Sequence, residues 1–102
     1  MTLTGRQKQF LRGLAHSLHP VVMVGREGVS DAVKTKTRVE LDHHELIKVK
    51  AGDGCLESTR EVGEALAAST GATLVQTIGH VVVLYRRHPV EPTLQLPSAK
   101  GG

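Results

Sequence analysis

The sequence predicts an α/β fold, ordered α-β-α-β-α-β-β, in which a mixed four-stranded sheet packs with helices. Three observations predict it. Stretches with apolar residues at three- and four-residue spacing alternate with short β-branched runs, the pattern of helices interleaved with strands. Two of those runs, 72–78 and 80–87, are separated by Gly79 alone and so form an antiparallel hairpin. Finally, 102 residues with 39% hydrophobic content supply one core and no second one, which at this size predicts close to two layers.

Thr4 is placed to cap a first helix running to about Leu18, with Phe10, Leu11, Leu14, Ala15 and Leu18 as its buried stripe. Arg6, Lys8, Arg12 and His16 fall mainly away from that stripe, giving a basic outer face, and His19-Pro20 ends the helix. Val21 to Val24 is the first strand, whose unbroken apolar character predicts a central place in the sheet with both faces covered. Ser30 caps a second helix from Asp31 to Leu41, with Val29, Ala32, Val33, Val39 and Leu41 inward.

Asp42-His43-His44 then forms the turn into a second strand, Glu45 to Lys50. Ile47 and Val49 face one way there and Leu46, Lys48 and Lys50 the other, and two lysines on one face predict an edge strand looking at solvent or a ligand. Ser58-Thr59-Arg60-Glu61 is a capping box opening a third helix, with Val62, Ala65, Leu66 and Ser69 inward and Gly71 as its stop. Pro89, Pro92, Pro97 and the terminal glycines divide the chain into a domain, 1–87, and a disordered tail, 88–102.

The net charge of +3 is unevenly spread. Residues 1–50 hold nine Lys/Arg against five Asp/Glu, whereas residues 51–102 hold four against five, and no acidic residue precedes Glu27. Such a one-sided field attracts polyanions. The basic half contains Gly25-Arg26-Glu27-Gly28 between a strand and a helix start. Closely spaced glycines let a backbone approach a phosphate chain, and helix N-terminal amides favour an anion there, with Arg26 closing over it. Phe10 and Tyr85 are the only aromatic residues and both fall in patterns that bury them, so no platform for stacking unpaired bases is expected. Phosphate contacts from Arg6, Lys8, Arg12, Arg26, Lys48 and Lys50, together with loop amides, would instead recognise the shape of folded RNA. Gly28→Asp is expected to weaken such binding by about tenfold or more with the fold intact.

Other chemistry finds little support. His43, His44 and Glu45 are adjacent, and His16, His19, His80 and Cys55 are scattered, but no Cys-x-x-Cys or His-Glu-x-x-His spacing occurs, so no metal site is expected. No nucleophile elbow or full phosphate-binding Walker motif is present, so the expectation is a protein that is not an enzyme, with no cofactor and no small-molecule substrate. Cys55 has no internal disulfide partner, no apolar run is long enough to span a bilayer, and the polar start lacks a secretory apolar block. A cytoplasmic protein without membrane association is expected. The lysines at the expected edge would guard it against strand pairing, in keeping with a monomer. The alternative class is a protein-interaction module.

Five separated segments carry a family resemblance: Leu3-Thr4-Gly5-Arg6-Gln7-Lys8, Leu11-Arg12-Gly13-Leu14-Ala15-His16, Pro20 through Gly28, His44-Glu45-Leu46-Ile47-Lys48-Val49-Lys50, and Ile78-Gly79-His80 leading to Val83-Leu84-Tyr85-Arg86. In this order, over about residues 3 to 87, the chain resembles the CRM domain, the chloroplast RNA splicing and ribosome maturation module, in its small bacterial YhbY-like form. The resemblance implies an RNA-binding domain with a fold like the C-terminal domain of bacterial translation initiation factor three, acting on ribosomal RNA in precursors of the large ribosomal subunit. It implies that Gly25, Arg26, Glu27 and Gly28 are the RNA contact, and His16 and Arg86 within the matched segments join Arg6, Lys8, Arg12, Lys48 and Lys50 as candidates. Two positions depart from the family pattern. Glu27 opposes Arg26 inside the loop, and His80 stands where a lysine is common, weakening that end near neutral pH.

Overall fold

Helix α1, Gly5–Ala15, starts where the Thr4 hydroxyl accepts the Gln7 N–H and the Gln7 side chain accepts the Thr4 N–H in return. A computed structural model describes residues 2–97, and in it α1 is followed by β1 (Pro20–Val24), α2 (Asp31–His44), β2 (Leu46–Ala51), α3 (Thr59–Thr70), β3 (Thr73–Ile78) and β4 (Val81–Tyr85). This is the element order the sequence predicts. Ser30 caps α2 through the Val33 N–H, Ser58 and Glu61 form the capping box of α3, and Gly71 closes α3 in a left-handed conformation.

The sheet runs β1-β2-β4-β3, with β1 parallel to β2 and the other pairs antiparallel. Two strand positions are therefore the reverse of the expectation. β1 is an edge strand: Val22 and Val24 are buried, but Met23, pointing to the other face, is 58% exposed. A short apolar run does not reveal how many of its faces are covered. β2 is central, and its lysines point along one face of the sheet rather than off an edge.

The alternation read in β2 explains the layers. Ile47, Val49 and Ala51 join Val22, Val24, Val82 and Leu84 beneath Leu41 of α2 and Val62 and Leu66 of α3. Leu46 joins Val75, Val83 and Tyr85 beneath Leu3, Leu11 and Ala15 on the other face. The fold thus has three layers, not close to two, because α1 lies alone on the face opposite the helix pair. A single helix over a sheet buries only a narrow stripe, here Gln7, Leu11 and Ala15 at four-residue intervals. Phe10 and Leu14 stand beside that stripe, 38% and 37% exposed, and are not the core residues the spacing suggested. The helix also stops at Ala15, a turn short of Leu18.

Helix α2 continues through Asp42-His43-His44, which had been expected to turn, and its cap is Glu45 at φ +59°. Val39 is exposed, and the inward place in that turn belongs to Thr37, whose hydroxyl donates to the Val33 carbonyl at 2.7 Å. The segment expected to be a structureless tail has no regular secondary structure but is packed as far as Pro97: Leu94 and Leu96 rest on the α1-side core. The last five positions of that expected tail lie outside the described residues.

Candidate nucleic-acid interface

Parallel pairing of β1 with β2 brings their carboxyl ends to the same rim of the sheet, and the antiparallel β3-β4 hairpin turns at that rim as well. The Gly52 N–H donates to the Val24 carbonyl at 2.8 Å and the Ala51 N–H to the His80 carbonyl at 2.7 Å. The loops after β1 and β2 and the hairpin tip therefore form one surface, and open α/β sheets place ligands outside the carboxyl ends of their strands.

Gly25-Arg26-Glu27-Gly28 makes a tight turn there, closed by the Gly28 N–H on the Gly25 carbonyl at 3.0 Å. Its two glycines have different reasons to exist. Gly28 is at φ +69°, and a Cβ on it would lie 2.2 Å from Oε1 of Glu57, so the fold itself demands glycine. Gly25 has no positive φ and nothing within 4 Å of where its Cβ would stand. Sterics within the chain do not require glycine at 25.

Glu57 also corrects the expected anion seat. Its Oε1 accepts the Val29 N–H at 3.1 Å, and the Ser30 hydroxyl accepts that of Val33 at 3.2 Å, so the inner side of the loop holds a carboxylate of the protein itself. What the loop offers outward is its rim, where Gly25, Arg26 and Glu27 are exposed and Gly28 is buried. Gly28→Asp would bring a second carboxylate against Glu57 at a strained φ, so it would disturb the fold as well as any binding.

The basic candidates separate into groups. Lys50 is exposed and pairs with Met23, one strand step below the loop. Lys48 is half-buried and donates its Nζ to the Leu18 carbonyl at 3.0 Å, tying the end of α1 to the sheet while bearing its charge on the α1 face. It lines a groove of about 490 Å³ between α1 and the sheet with Arg12, His16, Gln76, Ile78 and Val83. Lys8, Arg12 and His16 stand four residues apart, on one flank of α1. Arg6 is exposed on the outer side of α1, two residues out of phase with that flank.

Arg86 is not brought to this surface. It follows β4 at the opposite rim, where its guanidinium donates to the Thr70 carbonyl at 2.8 Å and the Arg38 carbonyl at 3.4 Å and pairs with Asp42. At that same rim is Glu45, which the sequence places at the start of the second strand and the structure makes the C-cap of α2. Its carboxylate, 2% exposed, accepts the N–H groups of His88, Thr93 and Leu94 and the Thr93 hydroxyl. Burial pushes its pKa up, but the Thr93 hydroxyl and the three N–H groups outweigh burial and bring it down to about 2. No local signal pairs residue 45 with residues 88–94; a charged residue ending a helix just before an apolar strand was the only hint.

Among the described residues, no group of three or more His, Cys, Asp and Glu side chains is arranged to hold a metal ion. No helix among them is long and apolar enough to cross a membrane.

The family description "CRS1 / YhbY (CRM) domain" matches residues 3–86. The chain belongs to the CRM domain family. Among CRM-domain relatives it is 48% identical over 96 residues to a Haemophilus influenzae protein named RNA-binding protein, with 94% of this chain and 96% of that one covered. It is 42% identical over 95 residues to the probable RNA-binding protein YqeI of Bacillus subtilis, covering 93% and 99%. The solution structure of SAV1595 from Staphylococcus aureus, described as a candidate RNA-binding protein, superposes with a TM-score of 0.80 at 34% identity and covers 94% of this chain and all of that one.

Proposed function

We propose that this CRM domain is a non-enzymatic, cytoplasmic RNA-binding protein that acts as a monomer on folded ribosomal RNA of the large-subunit precursor. The RNA docks on the rim formed by Gly25, Arg26, Glu27 and Gly28 and on the adjoining basic surface of Lys8, Arg12, His16, Lys48 and Lys50. The observation that carries this reading is the meeting of an open, unstrained Gly25 with Arg26 and Lys50 at the carboxyl ends of parallel strands. A phosphate chain approaches the outer side of the loop, because Glu57 fills the inner one. The names of the relatives support RNA as the partner, and the resemblance supplies the ribosomal target.

Binding titrations against a folded large-subunit ribosomal RNA fragment and an unstructured RNA of equal length, repeated over several salt concentrations, test it. Four to six neutralised phosphates predict a log-log salt slope of roughly −3 to −5 and tighter binding to the folded fragment. Gly25→Asp, which adds no internal clash, should weaken binding by about tenfold. Unchanged affinity in that variant would remove the loop from the interface. Absence of binding to either RNA at low salt would favour docking to a ribosomal protein instead.

A further inference from the structure

The groove between α1 and the sheet combines features that phosphate recognition alone does not need. Ile78, 53% exposed, gives it an apolar floor with the buried Val83 beneath, and Gln76 adds a side-chain amide that both donates and accepts. Arg12 and Lys48 supply its cationic groups, His16 adds an imidazole, and no carboxylate lines it. Its volume of about 490 Å³ is that of a small-ligand cleft. An apolar peptide side chain would have no use for three basic groups, and a bare phosphate none for the floor. A nucleotide uses all of them: a flat apolar base, a hydrogen-bonding edge and an anionic phosphate.

We propose that this groove receives a single unpaired nucleotide extruded from the folded RNA held at the glycine loop. The inference rests on the RNA-binding reading above and adds a subsite to it. The base lies on Ile78, the Gln76 amide meets its edge, and the Arg12 guanidinium covers its other face, as guanidinium planes do with unstacked bases. Lys48 and His16 stand by the flanking phosphates. The missing aromatic platform is no obstacle here, because one base in a groove needs a floor and a lid rather than a continuous stacking surface.

The test uses a hairpin RNA with one bulged nucleotide and the same hairpin with that nucleotide deleted. The parent protein should bind the bulged hairpin about five- to tenfold more tightly, the scale of one stacked base. Ile78→Ser and Gln76→Ala should each bring that ratio close to one while changing affinity for the fully paired hairpin by no more than about twofold. Salt-sensitive binding with equal affinity for the two hairpins would overturn the nucleotide subsite and leave the RNA reading standing. So would a bulge preference that survives both substitutions. No binding to either hairpin at low salt would overturn the RNA reading and this proposal with it.

Discussion

Replacing Glu45 by glutamine isolates the carboxylate that ties the C-terminal segment to the sheet. Oε1 accepts the Thr93 N–H and hydroxyl, each at 2.6 Å, and the Leu94 N–H at 3.0 Å, while Oε2 accepts the His88 N–H at 2.8 Å. A glutamine keeps one acceptor, loses the charge, and turns an NH2 group toward an N–H that needs an acceptor. The fold lowers the carboxyl pKa from 4.5 to about 2, so it favours the ionised form, and linkage makes that drop worth on the order of 3 kcal/mol. This stability is present in full above pH 4.5 and is lost as the pH falls toward 2. At pH 7, Glu45→Gln should therefore cost about 3 kcal/mol, lowering Tm by roughly 12 °C or more in a domain of this size. The variant should also lose most of the parent's decline in stability between pH 5 and 2. Thermal melts of both proteins across that range, with hydrogen exchange at the amides of His88, Thr93 and Leu94, read the effect directly. A variant that melts with the parent at pH 7, or protects those amides equally, would refute the clamp.

Three further outcomes follow from the geometry. Gly28→Ala should cost about 2 kcal/mol, because alanine is strained at φ +69° and its Cβ displaces Glu57 from the Val29 N–H; a melt within a degree of the parent would show that the loop relaxes freely. Arg86→Met should lower stability by about 1–3 kcal/mol through the lost bonds to Thr70, Arg38 and Asp42, yet leave RNA affinity within about twofold, so a larger affinity loss with a shallower salt slope would return Arg86 to the interface. Glu57→Gln keeps an acceptor for the Val29 N–H but removes a negative charge beneath the loop, so low-salt RNA affinity should rise about two- to threefold and the gain should fade at high salt; a loss of affinity in a stable variant would mean that the charge organises the loop.

Local features were the legible part of the fold. The Thr4 cap, the Ser58 capping box, the Ser30 cap, the Gly71 stop and the Gly79 hairpin each depend on residues within a few positions of one another, and each is readable without tertiary knowledge. What the sequence hid depends on partners far along the chain. Whether Val21 to Val24 is central depends on which strands flank it, and Lys48 looks like an edge residue until the short α1 is seen to cover only part of its face. Phe10 and Leu14 match helical spacing as well as Leu11 does, but a lone helix on a sheet has room for one stripe. The candidate site divides in the same way. Gly25, Arg26 and Gly28 are sequence neighbours on one loop, whereas the place of Lys50 beside them comes from the β1–β2 pairing, and the internal use of Arg86 and the occupation of the Val29 N–H by Glu57 arise from contacts spanning 16 to 48 residues.

The register of β2 separates two kinds of charged residue. Glu45 and Arg86 flank the Leu46–Tyr85 pair at one rim, where the carboxylate accepts four hydrogen bonds and the guanidinium donates three, to Thr70, Arg38 and Asp42. Lys50 and the glycine loop stand at the other rim, where the cationic side chains are exposed. Five strand steps separate Leu46 from Ala51, about 17 Å at the usual rise, against a screening length of about 8 Å in physiological salt. The buried carboxylate that anchors the C-terminal segment therefore costs the cations of the loop rim almost nothing. Glu27, Asp53 and Glu57 sit at the rim itself and outnumber Arg26 and Lys50 there, so under the proposed function they would limit how tightly a phosphate backbone is held. A loop that carries its own carboxylates gives up nonspecific phosphate affinity, so under the proposed function discrimination would come from the shape of the RNA and from the groove beside it.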